Sequence, residues 1–212
     1  MIEEGRKMEK KRSYYNLDET LRQAAERFSE IDPAEAALNA GAGYNPDQQT
    51  ISVIFMGDEY QVQHPGGSVT GPGGDETSLY LAIIILHYLV TAKGTPLTGR
   101  WIAFRHLPGG DIYIDPFQNR AVKPFLKNFG NNPEEFKRAA LALGGKEIKQ
   151  SGISMVIQVL PRVPICFTIW PGDEELPASA TILFDEAASS YMPTEDYAHI
   201  PAIVNGAMKG RL

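Results

Sequence analysis

Apolar side chains recur at spacings of three and four through Leu17, Leu21, Ala24, Ala25 and Phe28. That period predicts a helix from Tyr14 to Phe28 with Asn16 as its N-cap. Asp32-Pro33 supplies a cap and a first-turn proline for a short second helix to Asn39, placed to pack as a hairpin with the first. From Thr50 to Met56 the pattern turns β-branched and aromatic, and Glu59 to Gln63 alternates polar with apolar. With Gly57-Asp58 between them, the two stretches read as a hairpin that turns Tyr60 and Val62 inward.

A glycine-rich loop, His64 to Gly74, then leads to Asp75. From Glu76 to Lys93 apolar residues surround the helix period on nearly all sides, which predicts a buried central helix. Lys93 and Gly94 suit its C-terminus. Arg100 to Leu107 and Asp111 to Ile114 read as strands joined through Pro108-Gly109-Gly110, and Arg120 to Phe129 and Pro133 to Leu143 read as helices. Ser154 to Leu160 and Val163 to Trp170 form an expected hairpin turning at Pro161-Arg162. Ser179 to Ser190 divides between strand-like Thr181 to Phe184 and helix-like Glu186 to Ser189, and Pro193 opens a last helix that Pro201 interrupts.

Hairpins with short turns, and helices arriving in separate groups, favour α+β over a repeating βαβ fold. The expectation is a flexible segment over Met1 to Ser13, then a single α+β domain over 14–212. Its sheet is antiparallel or mixed and built from hairpins, with helices mainly on one face around the buried central one.

Charge narrows the partners. Twenty Lys and Arg against 26 Asp and Glu give a net charge of −6 and a pI near 5.3. That balance argues against nucleic acid, which selects basic faces. The apolar run Leu79 to Val90 is shorter than the roughly 20 residues of a membrane helix. MIEEGRKMEKKR carries no apolar signal segment. A soluble, cytoplasmic protein without membrane contact is expected. The one cysteine, Cys166, lies in an apolar strand and reads as a buried hydrophobe.

Candidate chemistry gathers in a few places. The glycine loop sits between strand and helix, where phosphate loops occur, but it matches neither GxxxxGK[ST] nor GxGxxG, and Asp75 and Glu76 follow as cap and first-turn carboxylates. Between Arg162 and Lys209 there are seven acidic residues and no Lys or Arg. Asp173, Glu174 and Glu175 lack the spacing of a calcium loop and lie between Pro171 and Pro177. Their first reading is a solvated turn, or a partner for the cations Lys93, Arg100, Arg105, Arg120, Lys123 and Lys127. His87, alone among apolar neighbours, reads first as a core histidine. On the expected 100–107 strand Trp101 and Arg105 share one face, a pairing that suits either ligand stacking or a cover over the core. The candidate binding residues are therefore Trp101, Arg105, Trp170, Asp173, Glu174, Asp185 and His87. No catalytic residue, metal or cofactor is assigned.

Three stretches, DETSLYLAIIILHYL (Asp75 to Leu89), GTPLTGRWIAFRHLPGG (Gly94 to Gly110) and WPGDEELPASATILFDEAASSYMPTED (Trp170 to Asp196), carry a resemblance. Together they resemble a bacterial and archaeal family known as domain of unknown function 3786, over most of the chain from about Tyr14. The resemblance carries over no activity, substrate or catalytic residue. Relatives with an added iron–sulfur module imply anaerobic redox or one-carbon and corrinoid metabolism, whereas this chain has only Cys166.

These readings lead to a non-catalytic accessory domain of an anaerobe that binds a small-molecule ligand or a protein partner. One alternative is a metal-assisted enzyme using Asp173, Glu174 and Asp185 with His87. The other is a homodimer joined by charge pairing.

Overall fold

The computed structural model describes residues 17–210. The expected flexible segment over Met1 to Ser13 and the Asn16 cap lie outside the described residues. Within them the chain forms two compact units, one of residues 17–53 with Asp58–Lys93, the other of Ile54–Gly57 with residues 94–210. The α+β class expected from the sequence holds, with the strands divided between two wholly antiparallel sheets of four and five.

The first unit opens with helix α1 (17–29), whose stripe residues Ala24 and Phe28 are buried. Helix α2 (Pro33–Ala40) follows. Asp32 caps it as expected, accepting from the N–H of Ala34 at 2.8 Å and of Glu35 at 3.1 Å. Its other end closes on Gly41, whose φ of +67° places it in the left-handed region. Strands β1 (Gly43–Asn45), β2 (Thr50–Phe55), β3 (Asp58–Gln63) and β4 (Val69–Thr70) form the four-stranded sheet in that order. The β2–β3 turn sits on Met56-Gly57, both with positive φ, one residue earlier than the sequence suggests. Val62 is buried as expected, and Tyr60 is half-buried.

Helix α3 (Leu79–Thr91) is the buried central helix, with Ala82 through Leu86, Tyr88 and Leu89 out of solvent. It begins later than Glu76 because Thr70 and Glu76 still bridge and the N–H of Thr77 reaches Val69 O. Ser78, not Asp75, caps it. It also ends earlier than Lys93, on Ala92.

The second unit carries β5 (Trp101–Ala103), β6 (Lys146–Lys149), β7 (Ile153–Leu160), β8 (Val163–Trp170) and β9 (Ser179–Asp185), ordered β5-β9-β8-β7-β6. The β7–β8 hairpin turns at Pro161-Arg162 as expected, with Leu160 opposite Val163. The ambiguous 179–190 stretch resolves as β9 followed by a 3-10 turn, Ala188–Ser190.

Two expected strands are corrected. The first stops at Ala103 because Phe104 turns inward, stacking on Phe117 at 4.2 Å and meeting Phe184 at 6.0 Å. The second, over Asp111 to Ile114, is a run of turns. The N–H of Gly110, Ile112 and Tyr113 bonds three residues back. Gly110 is tucked so closely that a Cβ there would lie 2.2 Å from Phe104 O, so only glycine fits.

Helix then runs from residue 114 to 129 as α4 (Ile114–Phe117), a π turn (Gln118–Val122) and α5 (Lys123–Phe129). Pro124 has no N–H to offer the carbonyl of Arg120, four residues back, and the widened turn sits at that gap. Helix α6 (Pro133–Ala142) matches expectation. The last helical stretch divides into α7 (Thr194–Tyr197) and α8 (Ile200–Met208), with Pro201 in the first turn of α8. One face of the sheet holds an aromatic core, where Phe167 meets Phe125 at 5.1 Å and Phe184 meets Tyr197 at 5.1 Å.

Candidate functional site

The acidic end of the second unit is organised by Asp185, which is 2% exposed. Side chains alternate along β9, so Phe184 enters the aromatic core and Asp185 points to the other face. There Oδ1 accepts from the N–H of Thr98 (3.1 Å), the Thr98 hydroxyl (3.2 Å) and the N–H of Ala187 (2.9 Å). Oδ2 accepts from the N–H of Gly99 at 2.7 Å. Four donors of the chain itself thus engage the carboxylate, three on Oδ1 and one on Oδ2, and it braces the segment leading into β5. Arg100 and Glu186 form an ion pair beside it, with Arg100 Nε donating to Oε2 at 2.8 Å. The Tyr191 hydroxyl donates to Thr95 O, and burial pushes that hydroxyl above its ordinary pKa.

Of the candidate residues, Trp101 and Asp185 are brought together as opposite members of the β5–β9 ladder. Arg105 does not share a strand face with Trp101. It stands exposed in a 3-10 turn, Phe104–His106, because the strand has already ended. Trp170, half-buried at the end of β8, donates Nε1–H to Ser151 Oγ at 3.0 Å. Asp173 closes its own turn, accepting from the N–H of Glu175 at 2.9 Å and of Leu176 at 2.8 Å. Those two donors hold its carboxyl below the usual range. Glu174 is exposed in the same turn. His87 is half-buried on α3 of the first unit. Among the described residues no group of three or more His, Cys, Asp or Glu side chains is placed to hold a metal ion. No helix there is long and apolar enough to cross a membrane.

The glycine loop has its own packing role. The N–H groups of Gly67, Gly71 and Gly74 are bonded to Gln63 O, Asp75 O and Gly71 O. Gly67, at φ +72°, lies so near α1 that a Cβ would meet the Ala25 Cβ at 3.0 Å.

One pairing was not read from the sequence. Arg120, on the π turn, places Nη1 2.8 Å from Nε2 of His199, between α7 and α8. A guanidinium offers only donors, so Nε2 is the acceptor and the His199 proton sits on Nδ1. Burial, and then the Arg120 charge, lowers the His199 pKa against the opposing influence of Glu195 and Asp196.

The first unit contains a cleft of about 270 Å3. Its walls are one face of α2, with Asp32, Glu35, Ala36 and Asn39, and the end of α3, with Leu89, Val90 and Ala92; Ile31 completes it. Those α2 positions follow i, i+3, i+4 and i+7, one helical face. The pattern is present in the sequence, but Asp32 was read there only as a cap, and nothing local shows that α3 ends opposite it. The cleft brings buried Ala36, Leu89 and Ala92 beside two exposed carboxylates and the half-buried Asn39 amide.

A family model described as Domain of unknown function (DUF3786) matches residues 32–205. No curated protein and no solved structure matches the chain.

Proposed function

This chain belongs to the DUF3786 family, and we propose that it acts there as a non-catalytic accessory domain that binds a small ligand in the cleft between α2 and the end of α3. The observation that carries this reading is the cleft itself. It joins buried apolar atoms of Ala36, Leu89 and Ala92 to exposed polar groups of Asp32 and Glu35, with half-buried Asn39 beside them. Such a site holds an apolar body and orients a polar end. The carboxylates first considered for chemistry, Asp173 and Asp185, are engaged by backbone donors, which favours a structural use for both.

The test is a thermal-shift screen of the pure protein against intermediates of redox and one-carbon metabolism, the setting the family resemblance implies, followed by calorimetry on each hit. Asn39→Phe, at a half-buried wall position, fills the cleft. The reading requires a ligand whose melting shift disappears in the filled variant while the fold persists. Steady turnover of a substrate by the pure protein, abolished by one substitution outside the cleft, would overturn it.

A charge-paired homodimer is the second reading. It is favoured by Lys123 and Lys127, exposed on one face of α5, and by the exposed Asp173 to Glu175 turn, neither of which makes an ion pair among the described residues. Sedimentation at low and high salt tests it, since a dimer indifferent to ionic strength is not held by charge.

A further inference from the structure

We propose that the Arg120–His199 contact is an acid-operated latch between the π turn and the corner joining α7 to α8, closed while the ring is neutral and open once it is protonated. Arg120 Nη1 donates to His199 Nε2 at 2.8 Å, across 79 residues of chain. A guanidinium has donors and no acceptor, and so has an imidazolium. The contact therefore exists in only one protonation state of the ring. When Nε2 takes a proton the hydrogen bond is lost, and two cations face each other where a donor and an acceptor stood.

The surroundings favour a different partner for each state. His199 is the N-cap residue of α8, at the positive end of that helix's dipole. That end and Arg120 both oppose a protonated ring. On α7, Glu195, which is exposed, and Asp196, which is 7% exposed, carry charges that favour it. Neither α7 nor α8 holds any further charged side chain. The next cation along from Arg120, Lys123, donates to Asn119 Oδ1 at 2.7 Å. Acid thus turns the ring from Arg120 toward the two carboxylates. Arg120 is exposed and swings into solvent, so opening leaves the core in place. The rest of the corner stays anchored, since Thr194 Oγ1 donates to Pro108 O at 2.7 Å and the Tyr197 hydroxyl to Ala188 O at 2.9 Å. Release is therefore confined to the start of α8. Burial and the Arg120 charge keep the ring's pKa below 6.5, so the latch opens in acid below that value.

The experiment is amide hydrogen exchange of the full chain, read residue by residue by NMR at a series of pH values across the titration of the His199 ring. The N–H groups of His199 and Ala202, bonded to Asp196 O and His199 O at 2.9 Å each, report on the corner. Their protection, corrected for the intrinsic pH dependence of exchange, should fall about fivefold or more as the ring gains its proton. Protection in the β7–β8 hairpin should hold over the same range. His199→Gln offers Arg120 an amide oxygen that does not titrate, so the corner should stay protected throughout. Arg120→Met, an exposed change, removes the donor and should leave the corner at the lower protection at every pH. Protection that stays constant while the ring titrates overturns the latch. So does an acid loss of the same size in Arg120→Met, or one shared by the β7–β8 hairpin, which is general acid unfolding rather than local release.

Discussion

The carboxylate of Asp185 accepts both donors of Thr98, its N–H at 3.1 Å and its hydroxyl at 3.2 Å, across 87 residues of chain. The Gly99 and Ala187 N–H groups complete the set. Asp185→Ala would leave three backbone donors without this acceptor inside the fold. The expected loss is about 3 kcal/mol or more, measured by urea unfolding with an unchanged slope. Asp185→Asn keeps the shape but sets an amide N–H2 against an N–H donor, and should cost about 1–3 kcal/mol. If either variant unfolds like the parent, the brace has been misjudged.

Tyr88, buried on α3, donates its hydroxyl to Ala40 O at the end of α2. This bond ties together the two helices that form the cleft. Tyr88→Phe should destabilise the chain by about 1–2 kcal/mol, the cost of an unmet buried carbonyl. It should also weaken any cleft ligand, because the wall is no longer fixed. Calorimetric binding measured below the unfolding range separates the two effects. Unchanged affinity with lowered stability would confine Tyr88 to folding.

His199 is held neutral by burial and by Arg120. Its folded pKa lies below the ordinary 6.5, so the unfolded chain binds the proton more readily. Its contribution to stability is therefore present above about pH 6.5 and is lost as pH falls from there through the lower folded value. Nitrogen NMR of the ring should show the proton on Nδ1 at neutral pH. Arg120→Gln should raise the titration midpoint, since a neighbouring positive charge is gone. A midpoint that stays put would show that Arg120 has little hold on this ring.

Cys166 is completely buried in β8, beside the Ser154–Thr168 hydroxyl pair. Burial pushes its thiol pKa up, against a smaller opposing effect from Thr168. An aromatic disulfide reagent should therefore label it slowly in the native protein and at the free-thiol rate in denaturant. Rapid native labelling would mean that the strand opens readily.

Much of the fold was legible along the chain because its signals are local. The α1 stripe, the Asp32-Pro33 start of α2, the buried period of α3 and the Pro161-Arg162 hairpin each depend on neighbours a few residues away. Errors came where a distant contact overrode the local pattern. Phe104 reads as a strand residue, yet its stack on Phe117 and edge contact with Phe184 turn it inward and take Arg105 off the strand. Asp75 has the chemistry of a cap, but the Thr70–Glu76 bridge holds the chain extended past it.

The sequence by itself determined the α+β class, most element positions, the burial of Cys166 and the family resemblance, because periodicity, turn chemistry and motif order are properties of adjacent residues. Only the tertiary structure decided what the polar groups do. Asp185 meets Thr98 across 87 positions, Arg120 finds His199 across 79, and the face of α2 becomes a cleft wall because α3 ends against it. A hydrogen bond or a cleft requires groups to be a few ångströms apart in space, and spacing along a chain does not fix that distance once the chain has folded back on itself.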